Sequence, residues 1–323
     1  MKLVAPSYYK NFKCIGGTCT DNCCIGWEID VDEKTLAKYK SETGALGERL
    51  RSNISNDGAP HFVLNGERCP FLNSDNLCDI IIERNEGYLC AICREHPRYY
   101  TVLGDTAFGG VGMCCEAAAK LILTCDSPTE LDILDTEGES EECDGELLKV
   151  VLGLRDEIYK NFGSRKQTII YTLQKALRLA EKAQAKVDGE PINPCKTRDF
   201  EDFLLINSVF EKMEFMTDEL PVLLAKANQK ISIFKNEIVN KYLHNILAYF
   251  LHRYLPKAAE DGDILGKMAI VFVSVLSLSR LFCAEENLTL DRAVYISKLY
   301  YKEVEYNEDN IALIEENADI VFR

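Results

Sequence analysis

The sequence predicts a mainly α protein in two parts: a small, cysteine-rich, metal-organised α+β domain at the N-terminus, then an all-α helical domain. Three observations predict it. Of fourteen cysteines, only Cys143, Cys195 and Cys283 lie beyond Cys125. The segment DILDTEGESEECDGE, Asp132 to Glu146, is dense in carboxylates and has no basic residue, which reads as a solvated, flexible connection. Beyond it, apolar residues recur at helical spacing with no strand–helix alternation. The expected organisation is therefore a cysteine-cluster domain over 1–130, an acidic linker over 131–146 and a helical domain over 147–323.

In the first part, WEIDVDEKTLAKYKSE reads as a short extended piece and a helix capped at Asp30 or Asp32. Asn65-Gly66 and the stretch from Asn73 to Asn76 mark turns, and RYYTVLGDTAFGG reads as a hairpin around Gly104-Asp105. None of these pieces shows much core of its own, hence the expectation that metal organises them. In the second part, Ile169, Ile170, Leu173, Leu177 and Ala180 share one helical face. Phe203, Ile206, Phe210 and Met213 repeat the spacing, and a further periodic run spans Ile231 to Leu255 and stops before Pro256. Asp261 to Cys283 reads as a central helix, apolar on most sides. Thr289 caps the next helix, and Asp309 or Asn310 begins a last one.

At 323 residues, with 47% hydrophobic and 28% charged residues, the chain is long enough to bury a core without disulfide staples. Its formal net charge of −15 opposes binding to nucleic acid or to an anionic membrane surface. The start, MKLVAPSYYKNFKC, lacks the apolar run of a signal peptide. Met268 to Cys283 is interrupted by Ser274, Ser277, Ser279 and Arg280 and is shorter than a span needs, so a buried core helix is expected. The chain is read as cytoplasmic, where thiols stay reduced and clustered cysteines more often bind metal.

The cysteines form four groups: Cys14, Cys19, Cys23 and Cys24; Cys69 and Cys78; Cys90 and Cys93, with His96 three residues on; and Cys114 with Cys115. Thiolate is a soft ligand suited to zinc or to iron–sulfur clusters, and either centre takes four ligands. Ten clustered cysteines allow two centres, or one centre plus free thiols. His96 is a ligand or a hydrogen-bonded structural residue. Trp27 reads as core packing. FGGVG, with Gly109, Gly110 and Gly112, either admits a cofactor's backbone or phosphate or marks close packing of the chain; no following βαβ pattern supports the first.

Together YYKNFKCIGGTCTDNCCIGWEIDVD, RCPFLNSDNLCDI, LCAICREHPRYY and Cys114-Cys115-Glu116 resemble the flagellin lysine-N-methylase family. They are also similar to the wider group of cysteine-cluster domains described as zinc- or iron-chelating. The resemblance covers about the first 125 residues; the helical remainder carries no motif. It implies methyl transfer from S-adenosylmethionine to lysine ε-amino groups of flagellin. It also implies a metal centre, an iron–sulfur cluster ahead of zinc, that is structural or contacts the methyl donor. The alternative is a non-catalytic metal-binding module: a carrier, redox sensor or adaptor. Glu95, Tyr99 and Tyr100 are candidates to orient or deprotonate the amine because they adjoin the cysteines. No standard S-adenosylmethionine-binding motif is present in the chain.

Overall fold

A computed structural model describes residues 1–55, 57–162, 167–191, 204–228 and 236–322. The protein is mainly helical with a small sheet, and the chain divides into two compact units. The helical unit comprises residues 1–12, 100–114 and 118–323; the cysteine unit comprises residues 13–99 and 115–117. This differs from the expected division at 131–146. The N-terminal strand and the hairpin, placed in sequence with the cysteines, belong with the helices. Part of the expected linker does as well.

The reason lies in one sheet. Its strands run in the order Arg98–Leu103, Thr106–Val111, Lys2–Pro6, Leu131–Asp135. The N-terminal strand pairs in parallel with Thr106–Val111, placing Leu3 opposite Ala107, and antiparallel with Leu131–Asp135, placing Leu3 opposite Leu134. Leu3, Ala5 and Ala107 are buried together, with Leu134 packed against them. The acidic segment therefore starts as a strand, because its backbone completes the ladder with Lys2–Pro6 and Leu134 packs onto the buried cluster, despite the flanking carboxylates. The expected hairpin is present, with Gly104 at φ +63° in its two-residue turn. Asp144, at the far end of the acidic segment, caps the helix Gly145–Lys160 by accepting from the backbone of Glu146 and Leu147.

The helical unit is built on Ile264–Ala284, as expected. Seventeen of its residues are buried, including Ser274, Ser277 and Ser279. It is the one helix among the described residues long and apolar enough to cross a membrane, and 89% of its apolar window is buried inside the protein. It packs against Glu237–Tyr254, Ile169–Asp188, Glu219–Asn228 and Glu308–Glu316. The stripe Ile169, Leu173, Leu177 and Ala180 is buried, as its spacing predicts. Thr289 caps Leu290–Tyr300 through Arg292 N–H. The following helix is capped by Asn307 rather than Asp309 or Asn310, because Asn307 Oδ1 already takes both of their N–H groups. Of the expected stripe at Phe203 to Met213, a helix spans Leu204–Phe210, and Phe210 and Met213 are buried, Met213 beyond the helix's end; Phe203 and the start of the Ile231 run lie outside the described residues.

The cysteine unit departs from expectation in what organises it. Ile29, Val31, Tyr39, Leu46, Leu50, Phe62, Phe71, Leu72 and Ile80 form a buried core, and Cys69 and Cys90 are members of it. Apolar side chains, not a ligand set, fill its centre. The sequence hides this because the contributors sit on short helices and a two-residue strand pair, Ile54–Ser55 with His61–Phe62, too short to show a period. Asp32, the predicted cap, accepts from Thr35 N–H at 3.0 Å and from Ala91 N–H at 2.8 Å. One carboxylate thus ties the helix Glu33–Ser41 to the helix that carries Cys93.

Candidate functional site

Five thiols of the cysteine unit, Cys24, Cys69, Cys78, Cys90 and Cys93, act on one another, and a sixth, Cys23, joins them through Cys24. Local backbone geometry collects them. Cys69 N–H donates to Cys24 O at 2.9 Å, and a bridge joins Leu72 to Cys78. Cys78 and Cys90 sit at the starts of the helices Asp79–Glu83 and Ala91–Glu95, and Cys93 lies one turn into the second. Cys24, Cys78 and Cys93 pack against the same apolar core that buries Cys69 and Cys90.

Burial and hydrogen bonds between neighbouring thiols shift their acidities. Burial pushes the Cys69 thiol up to about 11, against hydrogen bonds from the Phe71 and Leu72 backbone. It raises Cys78 in the same way, against the backbone of Ile81 and Ile80. Cys24 is raised first by its hydrogen bond with Cys23 and then by burial and the charges of Cys69 and Cys78. Cys90 and Cys93 share a hydrogen bond that lowers Cys90 and raises Cys93. Cys24, Cys69, Cys78 and Cys93, kept from ionising by burial and by hydrogen bonds and charges of neighbouring thiols, are a set that a cation would reverse. Backbone N–H groups already aimed at Cys69, Cys78 and Cys90 suit the thiolate form.

Among the described residues, no three His, Cys, Asp or Glu side chains stand close enough to hold a metal ion as they are. Electrostatic influence reaches further than a metal–sulfur bond, so both observations hold. The thiols are gathered but not closed into a ligand set. The donor chemistry, five soft sulfurs in an apolar setting, fits zinc or an iron–sulfur cluster.

The remaining predicted residues fall elsewhere. Cys14 is exposed and its sulfur accepts from Gly16 N–H at 3.4 Å. Cys19 donates to Asp21 O and towards Glu116 Oε2, which also accepts from Thr20 N and Thr20 Oγ1 at 3.0 and 2.6 Å. Cys115 belongs to the cysteine unit and Cys114 to the helical unit. His96 ends the helix Ala91–Glu95. Glu95 pairs with Arg94 at 3.2 Å. Glu95 and Tyr99 belong to the cysteine unit; Tyr100 belongs to the helical unit, where its hydroxyl lies 2.8 Å from that of Tyr9. Gly109 and Gly110 lie within the strand Thr106–Val111 and Gly112 just after it. At Gly109 a Cβ would strike Leu3 and Tyr100 at 2.7 and 2.9 Å, and at Gly112 it would lie 2.8 Å from the Tyr301 hydroxyl. These glycines admit neighbouring side chains.

A second constellation, in the helical unit, was not anticipated from the sequence. Glu305 is 0% exposed in its side chain. It accepts from the Tyr249 hydroxyl at 3.0 and 3.2 Å and from the Tyr254 hydroxyl at 3.2 Å, and Arg253 Nε lies 3.2 Å away. Burial pushes its carboxyl up to about 7, with Arg253 and the two phenols pulling the other way. Glu305 ends a π-helical turn, Tyr301–Glu305, in which Tyr306 N–H reaches back to Tyr301 O. That wider turn commonly marks functional sites. The signal was present as HRY at 252–254 and YYKEVEY at 300–306, but only the fold brings them together. Beside it, His252 Nε2 lies 2.9 Å from Gly109 O.

Known proteins place the chain distantly. It is 26% identical over 126 residues to the flagellar biosynthetic protein FliU of Salmonella muenchen, covering 36% of this chain and 75% of that one. It is 25% identical over 126 residues to lysine-N-methylases of Salmonella choleraesuis and Salmonella typhimurium. The chain is similar to lysine-N-methylases over that stretch. The stretch is 36% of this chain and 31% of each methylase. No family model and no solved structure matches the chain.

Proposed function

We propose that the protein transfers methyl groups from S-adenosylmethionine to lysine side chains of a protein substrate, flagellin foremost. The similarity to the two lysine-N-methylases carries this reading. The similarity to FliU, a flagellar biosynthetic protein, favours a flagellar substrate. The chemistry asks for a site that takes a proton from an ammonium of ordinary pKa about 10.4 and holds the amine in line for attack. Glu95, Tyr99 and Tyr100, which adjoin the cysteines in sequence, are the candidate groups of that type.

Four of Cys24, Cys69, Cys78, Cys90 and Cys93 would hold the metal, an iron–sulfur cluster ahead of zinc. When bound, it supplies a local positive charge that keeps those thiols ionised and ties the segments around Cys24, Cys69–Cys78 and Cys90–Cys93 together.

The test is methylation of purified flagellin by the metal-replete protein with labelled S-adenosylmethionine, prepared without oxygen. Label on flagellin lysines is the expected result; none at any protein concentration rejects the reading. The five-thiol cluster favours a second reading, a metal-binding module without turnover. That reading predicts stoichiometric metal and no methylated product.

A further inference from the structure

Glu305, Tyr254, Tyr301 and Arg253 have the composition of a cation site whose occupant belongs to the chain itself. The Arg253 guanidinium lies 5.6 Å from the centre of the Tyr254 ring and 5.2 Å from that of Tyr301, with Glu305 against its Nε. Aromatic faces around a cation and a buried carboxylate beneath it are what recognise an alkylammonium out of water. Lys257 Nζ lies 5.7 Å from the centre of the Tyr254 ring. Its charge is disfavoured by burial and next by Arg253, and it too lowers the Glu305 carboxyl. The buried Cys114 thiol faces the Tyr301 side.

Access runs past Arg253. The Glu305 side chain is fully enclosed, whereas the Arg253 side chain keeps 16% of its exposure. Displacing the guanidinium outward therefore opens the anion and both rings to one incoming cation. The flexible stem of arginine permits that movement, and the ion pair it breaks returns a charge to water, which offsets much of the loss.

We propose that Glu305, Tyr254 and Tyr301 form a binding site for a primary alkylammonium, the chemical class of a protein lysine side chain, at the position Arg253 now fills. The identification of that guest with a methylation substrate rests on the function proposed above; the cation site does not. With the guest in place, the carboxylate of Glu305 is the acceptor for one ammonium N–H proton, leaving a neutral amine and a protonated carboxyl. Tyr249, bonded to the same carboxylate, holds it in place.

The experiment titrates the whole protein with n-butylammonium chloride, a lysine side-chain analogue, reading tyrosine difference absorbance, with sodium chloride and n-butanol as controls. Wild type gives a saturable response that neither control gives. Glu305→Gln and Tyr301→Leu each weaken it by about tenfold or more, and Arg253→Met strengthens it by a similar factor. No saturable response in wild type overturns the proposal, even if Arg253→Met binds, because such binding reports only an engineered cavity. If Glu305→Gln does not fold, Tyr254→Leu and Tyr301→Leu decide. Methylation of flagellin at the wild-type rate by folded Glu305→Gln overturns the identification of the guest with the methylation substrate. Butylammonium binding without methylation leaves the site standing and removes the methyltransferase reading instead.

Discussion

The His252 imidazole, 1% exposed, donates from Nε2 to the carbonyl of Gly109 over 2.9 Å. Its Nδ1 is buried without a hydrogen-bond partner among the described residues. The ring is therefore neutral, and burial drops its pKa from 6.5 to about 4. A histidine lowered in the folded state contributes stability that is full above pH 6.5 and is lost as pH falls towards 4. Chemical denaturation across that window should show a loss of about 3 kcal/mol attributable to this group. His252→Gln keeps a donor for Gly109 and should flatten the slope; an unchanged slope would assign it to other groups.

Gly112 should tolerate no side chain. A Cβ there would lie 2.8 Å from the Tyr301 hydroxyl and 3.0 Å from its Cζ. Gly112→Ala should cost about 1–3 kcal/mol and disturb the tyrosine absorbance of the Glu305 cluster. Gly153, with open space at its Cβ, lies inside the helix Gly145–Lys160. Gly153→Ala should stabilise by about 0.5–1 kcal/mol, and thermal unfolding of both variants separates the two effects.

Asn245 holds the end of a helix. Its Nδ2 lies 3.0, 2.9 and 2.8 Å from the carbonyls of Ile122, Leu123 and Cys125, which are among the last acceptors of the helix Glu116–Thr124. Asn245→Ala should leave these buried acceptors short of a donor and cost about 1–3 kcal/mol. Hydrogen exchange should rise first around 118–125; protection equal to wild type there would contradict the capping role.

The cysteine unit should respond to alkali and to metal in opposite ways. The metal-free Cys69 thiol stays protonated to about 11 in the folded state, from an ordinary 9.0. A raised thiol contributes stability that is full below its unfolded pKa and disappears as pH rises through the folded one. The metal-free protein should therefore lose stability between about pH 9 and 11. Cobalt(II) should bind with a thiolate charge-transfer band, release protons and remove that alkaline loss. Substituting Cys78 or Cys93 by Ser should abolish the band, whereas Cys14→Ser should leave it intact.

Legibility followed the range of each interaction. The stripe Ile169 to Ala180, the caps at Asp32 and Thr289 and the turn at Gly104 depend on neighbours within a few residues, and all three types of signal were readable. The sheet was not. Leu3 meets Ala107 and Leu134 across more than a hundred residues of chain, and the whole cysteine unit is inserted between those strands. The same holds for the sites. Spacing named the thiols, but not that Cys24, Cys69, Cys78, Cys90 and Cys93 feel one another while Cys14 stands exposed. Glu305 carried no local sign, because its hydrogen-bond partners lie some fifty positions earlier.

By itself the sequence determined what is local and compositional: helices in the second part, the early wealth of thiols, the central apolar helix and an acidic net charge. Only the tertiary structure decided which distant segments share a sheet, which thiols share an electrostatic environment and which carboxylate is taken out of water. The physical reason is that helix periodicity and capping depend on neighbouring residues, whereas desolvation and charge coupling depend on what the rest of the chain brings alongside. For Glu305, burial lifts the carboxyl to about 7, and Arg253, Tyr249 and Tyr254 hold it from rising further.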